Sequence, residues 1–113
     1  MQQRDWFMRA LEQIVAAIGR VMGLLREGKI DEARLELERA YSGQLGMPLA
    51  MLNRLDASSV VTVLGPERGT LLLDLLRAEV ALHEASGDAR AATRLKARIQ
   101  ILESLLPSRR ASA

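Results

Sequence analysis

From Phe7 to Leu25, apolar residues return every three or four positions as Phe7, Met8, Leu11, Ile14, Val15, Ile18, Val21, Met22 and Leu25. A strand alternates every second residue, so this spacing dictates one long amphipathic helix. Gly28 ends it near Glu27, because a helix C-terminus commonly needs a residue at positive φ. A second helix follows from about Asp31, with Ile30, Ala33, Leu37, Ala40 and Tyr41 as its inner stripe and Glu32, Glu36, Glu38 and Arg39 turned to water. Asp31 and Glu32 sit in its first turn, where carboxylates meet the positive end of the helix dipole.

The pattern weakens between Ser42 and Gly69, where Gly43, Gly46, Pro48, Gly65, Pro66 and Gly69 punctuate the chain. Two short helices fit between these breaks. Pro48 suits a first helical position ahead of Leu49, Met51, Leu52 and Leu55, and Asp56 is placed to cap a turn or two carrying Val60, Val61 and Leu64. The run Val60-Val61-Thr62-Val63 also suits a short strand. Gly65-Pro66-Glu67-Arg68-Gly69 reads as a turn. From Leu71 to Ser86 leucines occupy most sides of a helix, and only Thr70, Asp74, Arg77 and Glu84 form a polar row, so this helix belongs at the centre of the domain. Gly87 ends it, Asp88 caps the next, and the last helix carries Ala91, Ala92, Leu95, Ile99, Leu102 and Leu106 before Pro107 stops it. The expectation is one all-α domain over residues 1–106, with two long antiparallel hairpins bridged by short helices and a disordered tail over 107–113.

The chain has 113 residues with no cysteine and one histidine, His83. Disulfides, thiolate chemistry and histidine-rich metal sites therefore lack their ligands, and no metal or cofactor is expected. Sixteen basic against fourteen acidic side chains give +2, which disfavours nucleic acid as a dedicated partner. Fourteen of the sixteen basic residues are arginine, a bias that fits a GC-rich bacterial genome. The apolar stretch Ile14–Leu25 contains Arg20 and follows Asp5, Arg9 and Glu12, so it is too short and too charged for a membrane span. Without a leader or cysteine, the expected location is the cytoplasm.

The two turns read Gly28-Lys29-Ile30-Asp31-Glu32-Ala33 and Gly87-Asp88-Ala89-Arg90-Ala91-Ala92, and both pair a glycine with an alanine five residues later. Glycine permits the reversal, and alanine lets the second helix lie close to the first. These hairpins resemble tetratricopeptide repeats, although Val21 and Val80 stand where that repeat has a small residue. Together with the opening Asp5-Trp6-Phe7-Met8-Arg9-Ala10-Leu11-Glu12-Gln13, residues 5–106 resemble a family of short, uncharacterised bacterial all-helical proteins. That resemblance implies an all-helical fold and no assigned reaction.

Few residues point to chemistry. Glu79 and His83 share a helix face and could exchange a proton, but no nucleophile or third group accompanies them, so a packing role is expected. Gly65–Gly69 lacks the lysine and hydroxyl of a phosphate-binding loop. Asp5, Arg9, Glu12 and Gln13 have helix-supporting spacing. Arg90, Arg94 and Arg98 form a basic row that could meet an acidic partner or simply be solvated. Gly19 and Gly23 each cost a helix roughly 1 kcal/mol against alanine, which is explained if another helix approaches closely there or if glycine is merely tolerated. Trp6 and Leu24 lie outside the main stripe of the first helix, and Ile101 and Leu105 lie beside the row of the last. If exposed together, these four would make a patch for a symmetric homodimer, unless the middle helices cover them.

The reading that results is a non-catalytic helical protein-interaction module or small structural adaptor, taking a peptide or helix on the side formed by the first helices of the hairpins. The alternative is a small-molecule or lipid carrier, with Met8, Met22, Met47 and Met51 around an apolar pocket.

Overall fold

A computed structural model describes residues 2–107, and the expected disordered tail beyond Pro107 lies outside them. Five helices follow in order: α1 (Gln2–Arg26), α2 (Ile30–Leu45), α3 (Leu49–Arg54), α4 (Ala57–Ala85) and α5 (Ala89–Leu105), with no strand among the described residues. The all-α expectation holds, and the Val60–Val63 run is helical.

Both turns close alike. Gly28 has φ 75° and Gly87 φ 83°. At the first, Lys29 N–H donates to Leu24 O at 2.9 Å and Gly28 N–H to Leu25 O at 3.1 Å. At the second, Asp88 N–H donates to His83 O at 2.9 Å and Gly87 N–H to Glu84 O at 3.2 Å. This is the double bond pattern that satisfies the last carbonyls of a helix around a left-handed residue. Beyond the turns, Arg20 pairs with Glu36 at 3.0 Å and Glu84 with Lys96 at 3.0 Å. Arg77 reaches Glu103 further from the second turn, so the partners diverge in sequence with distance from the turn, as antiparallel helices require. Ala33 and Ala92 are both buried beside their turns.

α4 occupies the centre, packing against α1 and α2 of the first hairpin and against α5 of its own. Its leucines therefore have neighbours on several sides, and Leu71, Leu72, Leu75, Leu76 and Leu82 are all buried. This helix begins earlier than expected. The Asp56 carboxylate accepts Ser59 N–H at 2.7 Å and starts the first arm, as its sequence position implied. Gly65 then breaks the helical path at φ 81° and ψ 171°, and Pro66 starts the second arm immediately. The expected turn over Gly65–Gly69 is thus a kink at one residue, because proline's fixed φ and missing N–H are tolerated in a first helical turn. Pro48 lies one place earlier than expected, as the extended residue before α3, with ψ 148°.

Gly69, read as part of that turn, serves packing. A Cβ there would lie 2.6 Å from Leu106 Cδ2, so its bare backbone admits the end of the second hairpin. The first helix also differs from its expected stripe. Its buried line is Ala10, Ile14, Ala17 and Val21, while Phe7, Leu11, Ile18 and Leu25 are half-buried. Met8, Val15 and Met22, assigned to the stripe by their hydrophobicity, are 48%, 61% and 36% exposed. Ala10 and Ala17 share that buried line with Ile14 and Val21, and the larger half-buried residues flank it.

Candidate protein-interaction surface

The shift that superposes Gly28 on Gly87 also superposes Ala10, Ile14, Ala17 and Val21 on Gly69, Leu73, Leu76 and Val80, all buried. The two hairpins therefore bury the same four positions ahead of their turns. Under the same shift, Glu12, Ala16, Gly19 and Gly23 correspond to Leu71, Leu75, Ala78 and Leu82, all buried on α4. On α1 these positions form an open end of the pair. No atom of another element lies within 4 Å of a Cβ built at Gly19 or Gly23, so the expected close approach of a second helix does not occur within the described chain.

Beside this end, α1 and α2 leave a groove of about 490 Å³ lined by Arg20, Gly23, Leu24, Glu27, Leu35 and Glu36 among others. It continues past Arg39 to Gln13, Ala17 and Gln44. Its charges are largely spent on one another, since Glu36 takes Arg20 at 3.0 Å and Arg39 at 3.8 Å.

The four residues grouped as a dimer patch do not meet. α1 and α5 each pack on α4 without forming a helix interface with each other. Trp6 is half-buried, with the Arg68 guanidinium over its ring at 4.7 Å from the centroid, while Leu24 faces the groove. Ile101 and Leu105 are exposed, at 54% and 46%, but on α5. Periodicity on each helix identified apolar residues outside the core stripe; it carried no information on which helices become neighbours. The basic row is also divided. Arg98 is half-buried and donates to Leu52 O at 2.9 Å and Leu55 O at 3.0 Å, closing the C-terminal carbonyls of α3 and fastening that helix to α5. Arg90 and Arg94 remain exposed.

The chemistry suspected at His83 turns out to be part of a buried connection between α2 and α4. Tyr41, fully buried, donates its hydroxyl to Glu79 Oε1 at 2.6 Å, and Glu79 Oε2 lies 3.2 Å from His83 Nε2. Burial, together with the neighbouring carboxylate, pushes the Tyr41 phenol well above its ordinary pKa. A neutral tyrosine donating to a carboxylate suits this place, and a substrate could not reach that hydroxyl. Tyr41 was read only as a stripe residue, and nothing in its local spacing with Glu79 signals the bond.

None of Met8, Met22, Met47 and Met51 lines the α1–α2 groove. Met8 and Met22 lie on the exposed side of α1 and Met51 is exposed on α3. Among the described residues no group of three or more His, Cys, Asp or Glu side chains is placed to hold a metal ion, and no helix is long and apolar enough to cross a membrane.

What stands out instead is the exposed apolar row Met8, Val15 and Met22 on α1, bordered by half-buried Leu11 and Ile18. No known family matches the chain, and no curated protein or solved structure is similar to it.

Proposed function

We propose that the chain is a helical protein-interaction module or small structural adaptor that works without catalysis, and that α1 carries its docking face. The observation behind this reading is the exposed Met8–Val15–Met22 row. Three large apolar residues aligned on one helix face cost solubility and give nothing to the folded monomer, which is the usual mark of a binding surface. The shared burial pattern of the two hairpins supports a tetratricopeptide-like organisation. Engagement of Arg98 with α3 leaves less free basic surface than the sequence suggests, which weighs against nucleic acid. A protein or peptide partner, self-association as a homodimer and a cytoplasmic location all belong to this reading.

Native mass spectrometry of chain purified gently from cells tests it. A protein-sized adduct that disappears in Val15→Glu, with helicity unchanged, is the expected result. A retained small-molecule mass, or protein adducts indifferent to Val15→Glu, would contradict it.

A further inference from the structure

We propose that the occupant of the α1 face is α1 of a second copy, packed antiparallel about a twofold axis between Val15 and Ile18; the inference rests on the docking face proposed above. Met8, Val15 and Met22 recur every seven residues, and Leu11, Ile18 and Leu25 recur every seven between them. These are the two alternating positions of a coiled-coil seam, three residues then four apart. The first set is exposed and the second half-buried against the domain, so the seam is open along one side of α1.

The flanks of the seam choose the partner and its direction. On one side lies the core, through Ile14 and Val21. The other carries Asp5, Glu12, Gly19 and Arg26, again at intervals of seven and all exposed. No ion pair among the described residues engages Asp5, Glu12 or Arg26. The flank is acidic toward the N-terminus and basic toward the C-terminus. A parallel copy would set this charged flank of each helix against the opposite flank of its partner, which is already taken by the partner's core through Ile14 and Val21. An antiparallel copy seats Met8 against Leu25, Leu11 against Met22 and Val15 against Ile18, and places Asp5 beside Arg26 twice. Flanking charges of this kind set helix orientation in coiled coils. Glu12 then faces Gly19, whose surroundings are empty, so the flank closes without a clash. The pairing is isologous, the commonest arrangement of small homo-oligomers.

Sedimentation equilibrium on the full chain tests the proposal. The expected result is a mass approaching twice 12.5 kDa in the high micromolar range. Val15→Glu should be monomeric with unchanged helicity. Asp5→Arg and Arg26→Asp should each weaken the dimer about fivefold, since two exposed pairs become like-charge contacts, and the double swap should restore it. A wild-type chain that stays monomeric, or a dimer indifferent to Val15→Glu and to both charge reversals, would overturn the pairing. If a protein adduct in native mass spectra still depends on Val15, the docking face stands with a different occupant; if that dependence is also missing, the docking face itself fails.

Discussion

Replacing Tyr41 by phenylalanine keeps the ring that fills the space between α2 and α4 and removes only the hydroxyl that reaches Glu79 at 2.6 Å. The lost bond is charge-assisted, a class worth about 1.5–3 kcal/mol when one partner is removed. Two features place the cost near the lower end. The Glu79 side chain retains some contact with water, and its second oxygen keeps His83 at 3.2 Å. The expected loss is about 1–2 kcal/mol, or roughly 4–8 °C in melting temperature for a chain of this size. Urea denaturation followed by far-ultraviolet circular dichroism measures it, and the slope should not change because no buried surface is altered. The pH dependence adds a second check. Because folding raises the Tyr41 pKa, its stabilising contribution is fully present below the unfolded phenol value of about 10 and is lost as pH rises toward the folded value. The gap between wild type and Tyr41→Phe should therefore narrow in strong alkali. A change under about 0.5 kcal/mol at neutral pH, or a gap that widens above pH 10, would refute the claim that this hydroxyl joins the two hairpins.

Ala92→Leu should overpack the start of α5 against α4 and lower stability by about 1–3 kcal/mol in the same urea assay. Asp56→Ala should destabilise the chain at neutral pH by removing the cap of α4; since the Ser59 N–H holds that carboxyl below its ordinary pKa, the cap's contribution persists above the usual carboxylate range and fades as pH falls through the lowered value, so mutant and wild type should converge in acid. Arg98→Ala should cost about 1–2 kcal/mol and speed hydrogen exchange and proteolysis around α3, whereas Arg90→Ala should stay within about 0.5 kcal/mol of wild type.

Local chemistry made much of this fold legible. Gly28 and Gly87 ended helices with positive φ, Asp56 and Asp88 capped the helices that followed, and leucines on most sides of α4 marked it as central. Each of these features acts within a few residues, so the sequence displays it directly. The misreadings arose where the deciding neighbour is remote. Gly69 answers to Leu106, Arg98 to the carbonyls of α3, and Tyr41 to Glu79, none of which local periodicity relates. The stripe on α1 was misplaced for a related reason. Hydrophobic strength ranked Met8, Val15 and Met22 above Ala10 and Ala17, but helix packing fixes which face turns inward, and the two alanines lie on that face while the other three lie off it. The residues displaced from the core by that correction are the ones on which the functional proposal rests.

The docking face has natural reporters, because two of the chain's five methionines, Met8 and Met22, lie on it and Met51 does not. Methyl spectra of chain carrying carbon-13 at the methionine methyls, recorded through a dilution series, test the α1 face most directly. Signals of Met8 and Met22 should move together on dilution while Met51 stays fixed, and Val15→Glu should hold all of them at their dilute positions. Movement of Met51 with Met8 and Met22 unaffected, or no movement at any methionine up to the highest concentration reached, would contradict the pairing of that face with a second copy.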